Sequence, residues 1–308
     1  MDSFKVEGLV TAPFTPFKGN GDINFEMFQS YADYLVSMEI SAVFVNGSTG
    51  EGLSLTVEER KQTLEAWVKA VKNRMTIIAH VGALNIKDCQ ALSQHAQAAG
   101  ADAIASMASL YYKPATEEDL VAYMKEVAAA APKLPFYYYD IDFMTGVNLN
   151  NAKFLRLAAP AIPTLKGAKV SSRSLQGIAD CLTEIQGTKM QIMMGSDEQF
   201  LAGLAFGVDI PIMNSFVAPM FHRMIKAFKK GDMDAAKKEQ YRCLQVSKIK
   251  AKYGGGFAAS KAVMNVSSGL DMGPPRLPLK SYSKETTEKI KNELTEAGYF
   301  YWMKETWK

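Results

Sequence analysis

Short stretches of β-branched and aromatic residues recur along the first two-thirds of the chain and alternate with longer segments whose apolar positions follow a helical period. This alternation predicts βα units and a parallel sheet, because parallel neighbours need a crossover long enough to hold a helix. The strand-like runs lie at 9–13, 42–46, 76–80, 103–107, 135–139, 164–169, 191–194 and 209–214. Most are about thirty residues apart, the room that one strand, one helix and two short loops require. Eight such runs suffice to close a (β/α)8 barrel, the TIM-barrel architecture of the α/β class. An open doubly wound sheet is the alternative, but no G-x-G-x-x-G follows the first run to mark a dinucleotide site.

Helix starts are legible between the runs. Thr56-Val57-Glu58-Glu59 has the form of a capping box opening a helix over 56–72, and Thr116-Glu117-Glu118-Asp119 places acids at the start of one over 116–131. Beyond the eighth run, helices are expected at 219–230, 233–252, 257–266 and 283–297, with Gly273-Pro274-Pro275 as a stiff loop between the last two. The expected organisation is a barrel over residues 1–218 and a C-terminal helical extension over 219–308, packed together as one structural unit.

Composition narrows the function. With 308 residues, 48% hydrophobic and 22% charged, the chain can bury a large core. The net charge of +3 is small, and Lys226, Lys229 and Lys230 form a basic cluster without aromatic interleaving, so a nucleic-acid partner is not expected. Cys89, Cys181 and Cys243 are odd in number and widely spaced, which suits a reducing compartment. No charged leader with an apolar core opens the chain and no run approaches the ~18 apolar residues of a bilayer span, so a cytoplasmic location away from membranes is expected.

In a barrel of this kind, reactive groups sit at the C-terminal ends of strands. After the second run, Gly47-Ser48-Thr49-Gly50-Glu51 offers backbone N–H groups and two hydroxyls to an anion, and it lacks the Gly-Lys-Ser/Thr ending of a nucleotide loop. A carboxylate is the better ligand, although such a loop can also be only a turn. Tyr139 ends the fifth run, where its hydroxyl could move a proton. Lys169 ends the sixth; enclosed there, its amine would lose hydration and become a nucleophile. Gly195-Ser196-Asp197-Glu198 ends the seventh, with an acidic pair suited to hydroxyls, to a metal or to a helix cap. His80, His95 and His222 are scattered, so neither a metal site nor a Ser-His-Asp triad is expected.

Lys169 in its Gly-x-Lys context, the Gly47-to-Glu51 loop and Tyr139 together resemble the dihydrodipicolinate synthase/N-acetylneuraminate lyase superfamily over essentially the whole chain. The segments Phe44 to Leu55 and Met272 to Leu279 look like its animal-type lyases, and Met144 stands where the synthase branch carries an arginine. The resemblance implies that Lys169 forms a Schiff base with a 2-keto acid such as pyruvate, that Tyr139 shuttles a proton, and that Gly47, Ser48 and Thr49 hold the keto acid's carboxylate and relay the proton. It implies that Ser171, Gly195, Asp197, Glu198 and Asn214 meet the sugar or aldehyde end, and that Tyr111 crosses a subunit interface in a homotetramer built as a dimer of dimers. No metal or organic cofactor is implied. The expected reaction is reversible cleavage of N-acetylneuraminate to N-acetylmannosamine and pyruvate. A related pyruvate-dependent aldolase with another aldehyde or imine acceptor is the first alternative, and a catalytically inactive binding or scaffold protein the second.

Some positions depart from the lyase pattern. Tyr139-Asp140-Ile141-Asp142 replaces Tyr-His/Asn-Ile-Pro, which is expected to bring the carboxylates of Asp140 and Asp142 close to the site. Met213-Asn214-Ser215-Phe216-Val217 replaces Gly-Ser-Thr-Tyr-Asn, with Pro211 just before it in the last strand, and Ser172 stands near where lyases carry an acid. These changes fall on the acceptor half of the pocket and are expected to weaken N-acetylneuraminate as a substrate; the alternative is that both aspartates face solvent and the changes are neutral.

Overall fold

The computed structural model describes residues 4–307. Eight strands close a fully parallel barrel in sequence order: β1 (Leu9–Thr11), β2 (Ile40–Val45), β3 (Thr76–His80), β4 (Ala103–Met107), β5 (Phe136–Asp140), β6 (Leu165–Val170), β7 (Gln191–Met194) and β8 (Ile210–Met213). The first seven crossovers contain α1 (Met27–Ser37), α2 (Val57–Val71), α3 (Ile86–Ala99), α4 (Glu117–Ala129), the short α5 (Asp142–Thr145) with α6 (Asn151–Ala161), α7 (Leu175–Glu184) and α8 (Phe200–Phe206). After β8 come α9 (Ala218–Lys229), α10 (Met233–Lys252), α11 (Gly256–Ser268), α12 (Lys284–Glu296) and α13 (Tyr299–Trp302). The expected division at 218/219 therefore falls at the start of α9, which packs against α8 and β1 and completes the ring of helices.

Both capping boxes form. Thr56 Oγ1 accepts from Glu59 N at 3.1 Å while Thr56 N donates to Glu59 Oε2 at 2.8 Å, and Thr116 and Asp119 repeat the exchange at 3.1 Å each way. Each cap satisfies donors that the helix start would otherwise leave open, a contribution of about 1 kcal/mol.

The strand period of two sorts side chains into two cores. Phe44, Ile78, Ala105, Tyr137, Tyr139 and Met193 fill the barrel, whereas Val45, Ala79, Ile104, Tyr138, Ala168 and Ile192 face the helices. Tyr138 packs on Phe154 of α6 with ring centroids 4.6 Å apart. Pro211 does not open the sheet: it lies opposite Met194, and β8 also pairs with β1 through Ile212 and Met213.

Gly167 sets the local geometry of β6. Its φ is +128°, and a Cβ there would lie 1.9 Å from the Gln191 carbonyl oxygen of β7. Two residues on, Lys169 shares its inward phase opposite Tyr139 and Met193. Gly167→Ala should therefore lower unfolding stability by more than about 2 kcal/mol in a denaturant titration, through strain and backbone collision. A loss below about 0.5 kcal/mol, the level of a neutral surface change, would disprove this account of β6.

Candidate active site

The C-terminal mouth of the barrel holds a cavity of about 130 Å³ around Lys169, whose wall also includes Thr49, Tyr139, Ser171, Asp197, Glu198 and Asn214. Lys169 is only 4% exposed. Its Nζ lies 3.9 Å from the centroid of the Phe44 ring and 4.0 Å from that of Tyr139. Ring faces attract an ammonium, but the loss of hydration outweighs them, and burial brings the Lys169 pKa down from 10.5 to about 7. Gly195 provides the space: a Cβ there would come within 2.3 Å of Ser171 Oγ and 3.4 Å of Lys169 Cε.

Tyr139 stands beside the amine. Its hydroxyl is 3.1 Å from Ser48 Oγ. Burial pushes it up to about 12, and the hydroxyls of Ser48 and Ser171 offset only part of that rise. Phe44 and His80 meet its ring edge-on, with centroids 5.3 and 5.5 Å away. Ser48 and Thr49 are half-buried on the loop after β2, where Asn46 and Glu51 adopt positive φ of 60° and 54° without being glycines.

Several residues that fix this loop escaped the sequence reading. The Arg60 guanidinium, 2% exposed, donates to the carbonyls of Gly82 at 2.7 Å and His80 at 2.6 Å. Asn46 Nδ2 donates to Arg60 O at 2.9 Å, and His80 Nδ1 lies 2.9 Å from Asn46 O. Burial, with the Arg60 charge beside it, holds the His80 imidazole well below its usual range, so the ring is neutral. A charge on the apolar face of α2 was the one available signal for Arg60; the role of His80 depends on contacts made only in the fold.

Across the cavity, Asp197 is 6% exposed and accepts from Asn214 Nδ2 at 2.6 Å and Asn214 N at 3.3 Å. Burial raises its carboxyl to about 6 against the opposing influences of Lys250 and Asn214. Glu198 lies at the exposed rim and accepts from Ser247 Oγ at 2.7 Å. Partial burial pushes its carboxyl up, but the Ser247 hydroxyl and the Lys250 charge hold it below the usual value. Gln240 Nε2 donates to the Asp197 carbonyl at 2.9 Å, so α10 contributes Gln240, Ser247 and Lys250 to this side.

Asp140 and Asp142 do not join these groups. Asp140 follows Tyr139 by one residue, so the strand period turns its carboxylate outward, where Asn151 of α6 donates to it at 2.8 Å. Asp142 accepts from Ser172 Oγ at 3.3 Å. Both line a separate cleft of about 340 Å³ that also includes Asp180. The carboxylates expected near the substrate therefore lie outside the Lys169 cavity, whereas Met213 and Asn214 are departures that line it. Gly47 and Ser48 line an adjoining pocket with His80 and Met107. Tyr111 is 75% exposed, meets Tyr112 edge-on at 5.0 Å and is not part of the cavity wall.

Among the described residues no group of three or more His, Cys, Asp or Glu is placed to hold a metal, and no helix is long and apolar enough to cross a membrane. The arrangement combines a nucleophilic amine, a hydroxyl relay at one side and a carboxylate pair at the other.

The family model for the dihydrodipicolinate synthetase family matches residues 5–297. N-acetylneuraminate lyase of Homo sapiens is 40% identical over 294 residues, spanning 94% of this chain and 92% of that protein. The N-acetylneuraminate lyase of Gallus gallus is also 40% identical, over 94% of this chain and 96% of its own. Among solved structures, Proteus mirabilis N-acetylneuraminate lyase superposes with a TM-score of 0.92 at 33% identity, covering 96% of this chain and 100% of that one. N-acetylneuraminate lyase (sialic acid aldolase) of Aliivibrio salmonicida gives a TM-score of 0.92 at 36% identity, covering 96% and 98%.

The lowered affinity of Lys169 for protons is directly measurable. NMR titration of the isotopically labelled lysine side chains should place the Lys169 signal, assigned by its loss in Lys169→Met, near pH 7. A midpoint above about 9 would mean that the amine is hydrated or paired after all.

Proposed function

The chain belongs to the dihydrodipicolinate synthetase family, and from that premise we propose that Lys169 forms a Schiff base with pyruvate in the reversible cleavage of N-acetylneuraminate to N-acetylmannosamine and pyruvate. The activity is that of a class I aldolase, a carbon–carbon lyase. The observation that carries the residue assignment is a buried amine with a pKa of about 7, facing the Tyr139 ring.

The neutral Lys169 amine attacks the C2 ketone of the open-chain substrate, and loss of water leaves a protonated imine. Ser48, Thr49 and Gly47 hold the adjacent carboxylate. The bond between C3 and C4 then breaks: its electrons move to the imine as an enamine forms, the C4 hydroxyl becomes the product aldehyde, and its proton passes to Tyr139. A free phenol near 12 is a poor base at neutral pH. The imine cation, formed where Nζ lies 4.0 Å from the Tyr139 ring centroid, favours the phenolate, and Ser48 at 3.1 Å offers a relay for the proton that Tyr139 gives up. The proton returns to C3, and hydrolysis of the imine releases pyruvate and restores Lys169. Ser171, Gly195, Asp197, Glu198 and Asn214 form the acceptor side. As written, the reaction requires no metal or organic cofactor, because the electron sink is the imine itself.

A second reading keeps this chemistry with another aldehyde or imine acceptor. It is favoured by the Asn214 side chain, which occupies Asp197 through a 2.6 Å bond and leaves fewer of its lone pairs for a polyol. We assign the assembly as a homotetramer in which Tyr111 completes a neighbouring site; the exposed Tyr111–Tyr112 pair supports this. A cytoplasmic location agrees with three buried, free cysteines.

Incubation with pyruvate and borohydride should add one reduced pyruvyl group at Lys169, faster as pH rises through about 7 because the amine sheds its proton there. A label on another lysine, or none, refutes the assignment. Tyr139→Phe should still form the adduct while turnover drops by ~10²-fold, the scale of a positioned acid or base. Unchanged turnover would remove Tyr139 from the mechanism. On the substrate, a kcat/KM of N-acetylneuraminate cleavage far below ~10⁴ M⁻¹s⁻¹, with a normal pyruvate adduct, would select the second reading.

A further inference from the structure

The most deeply buried charge pair among the described residues lies outside the reactive cavity. Lys261 of α11 and Glu51 of the loop after β2 are 2.9 Å apart, with side chains 1% and 2% exposed. Lys261 Nζ also donates to Thr15 O at 2.9 Å and Pro274 O at 3.1 Å and sits 4.2 Å from the Phe17 ring centroid. The other Glu51 carboxylate oxygen accepts from Arg276 N at 2.8 Å. The Arg276 guanidinium in turn holds Ser54 O at 2.9 Å and the Glu59 carboxylate at 2.8 Å.

These contacts converge on a short turn. Glu51 N donates to Ser48 O at 3.0 Å, and Thr15 Oγ1 donates to Gly50 O at 2.6 Å. Thr49 is thus bracketed by two anchored positions, and both anchors lead to Lys261, one through its partner Glu51 and one through Thr15. A buried ion pair gives little net stability over apolar residues of the same volume, but parting its members leaves a buried charge uncompensated, so movement that separates Glu51 from Lys261 is costly. Glu51, a non-glycine residue with a φ of 54°, adopts a left-handed conformation that the isolated turn would disfavour.

We propose that Lys261 and Glu51 are positioning residues, through which the C-terminal extension holds the loop carrying Ser48 and Thr49 in register with Tyr139. The proposal rests on the reading of Lys169 and Tyr139 as the aldolase centre. Neither residue of the pair lines the Lys169 cavity, so its influence on the reaction passes through the loop.

The test compares the wild type with Lys261→Met/Glu51→Gln, which removes both charges and strands neither. Glu51→Gln alone is measured alongside it; this near-isosteric change removes the charge that holds Lys261 while keeping the side-chain volume, and it decides the matter if the double variant does not fold. Melting temperature, the pyruvate concentration that half-saturates borohydride trapping at Lys169, and turnover are measured. The expected result is a folded protein that still traps pyruvate on Lys169, with half-saturation raised and turnover lowered by ~5-fold or more each, because small misplacement of reacting groups is costly. Smaller changes in the folded variant would show that the pair affects stability alone and overturn the proposal. Failure of the wild type to trap pyruvate would instead refute the aldolase reading.

Discussion

Everything at the mouth of this barrel follows from keeping one amine dry and without an acidic partner. Lys169 enters the barrel from β6, and its Nζ lies over the rings of Phe44 and Tyr139, with no ion pair to a carboxylate among the described residues. An acid within ion-pair distance would hold the proton on and remove the nucleophile. The lowered pKa also has a thermodynamic cost. Between about 7 and the ordinary 10.5 the unfolded chain binds the proton that the folded chain releases, so this lysine weakens the fold at neutral pH, and the penalty vanishes only as pH rises past the unfolded value. A closed barrel with two large cores can absorb that cost; a small domain could not.

The same requirement explains how the nearby acids are tied down. Asp197 is occupied by Asn214, Glu198 by Ser247, and Lys250 acts on both from α10. Asp140 is turned outward by strand phase to Asn151, and Glu51 is paired with Lys261. Each carboxylate within reach of the mouth has a donor other than Lys169. Many of these donors come from α10 and α11, so the extension behaves as the outer wall of the site rather than as an appendage to the barrel.

The features legible in the sequence were those governed by local period and position. Strand spacing gave eight runs, the Thr56 and Thr116 boxes marked helix starts, and Lys169 and Tyr139 stood out because each closes a run. Strand phase was also readable: Tyr138 and Asp140 differ by two and share a face, so the alternation that turns Tyr138 toward the helices turns Asp140 outward as well. Proximity in sequence to the catalytic strand obscured that step. The clamp on the loop could not be read in the same way, because Lys261 and Glu51 are separated by 210 residues and Arg276 and Glu59 by 217. Only a lone lysine within the apolar Phe257-to-Met264 stretch hinted at a buried partner.

The acceptor side poses the complementary electrostatic problem. In the proposed reaction the free Lys169 amine, with a pKa of about 7, shares the cavity with an acidic pair, and the imine it forms carries a positive charge in the same enclosed space. Asp197, raised to about 6 by burial, is still ionised at neutral pH, and Glu198 more so. Their field acts alike on the proposed imine cation and on the lysine ammonium, since both charges sit on the same nitrogen; because the acids face it across the cavity instead of pairing with it, burial still dominates the proton balance of the free amine. The same field disfavours an acceptor with an anionic tail and admits one rich in hydroxyl or amide donors. Asn214 then sets how many of those donors Asp197 can receive, because its amide already fills one carboxylate oxygen at 2.6 Å. Under the proposed function, selectivity then depends on the competition between Asn214 and the substrate for Asp197, a contest independent of the covalent step assigned to Lys169.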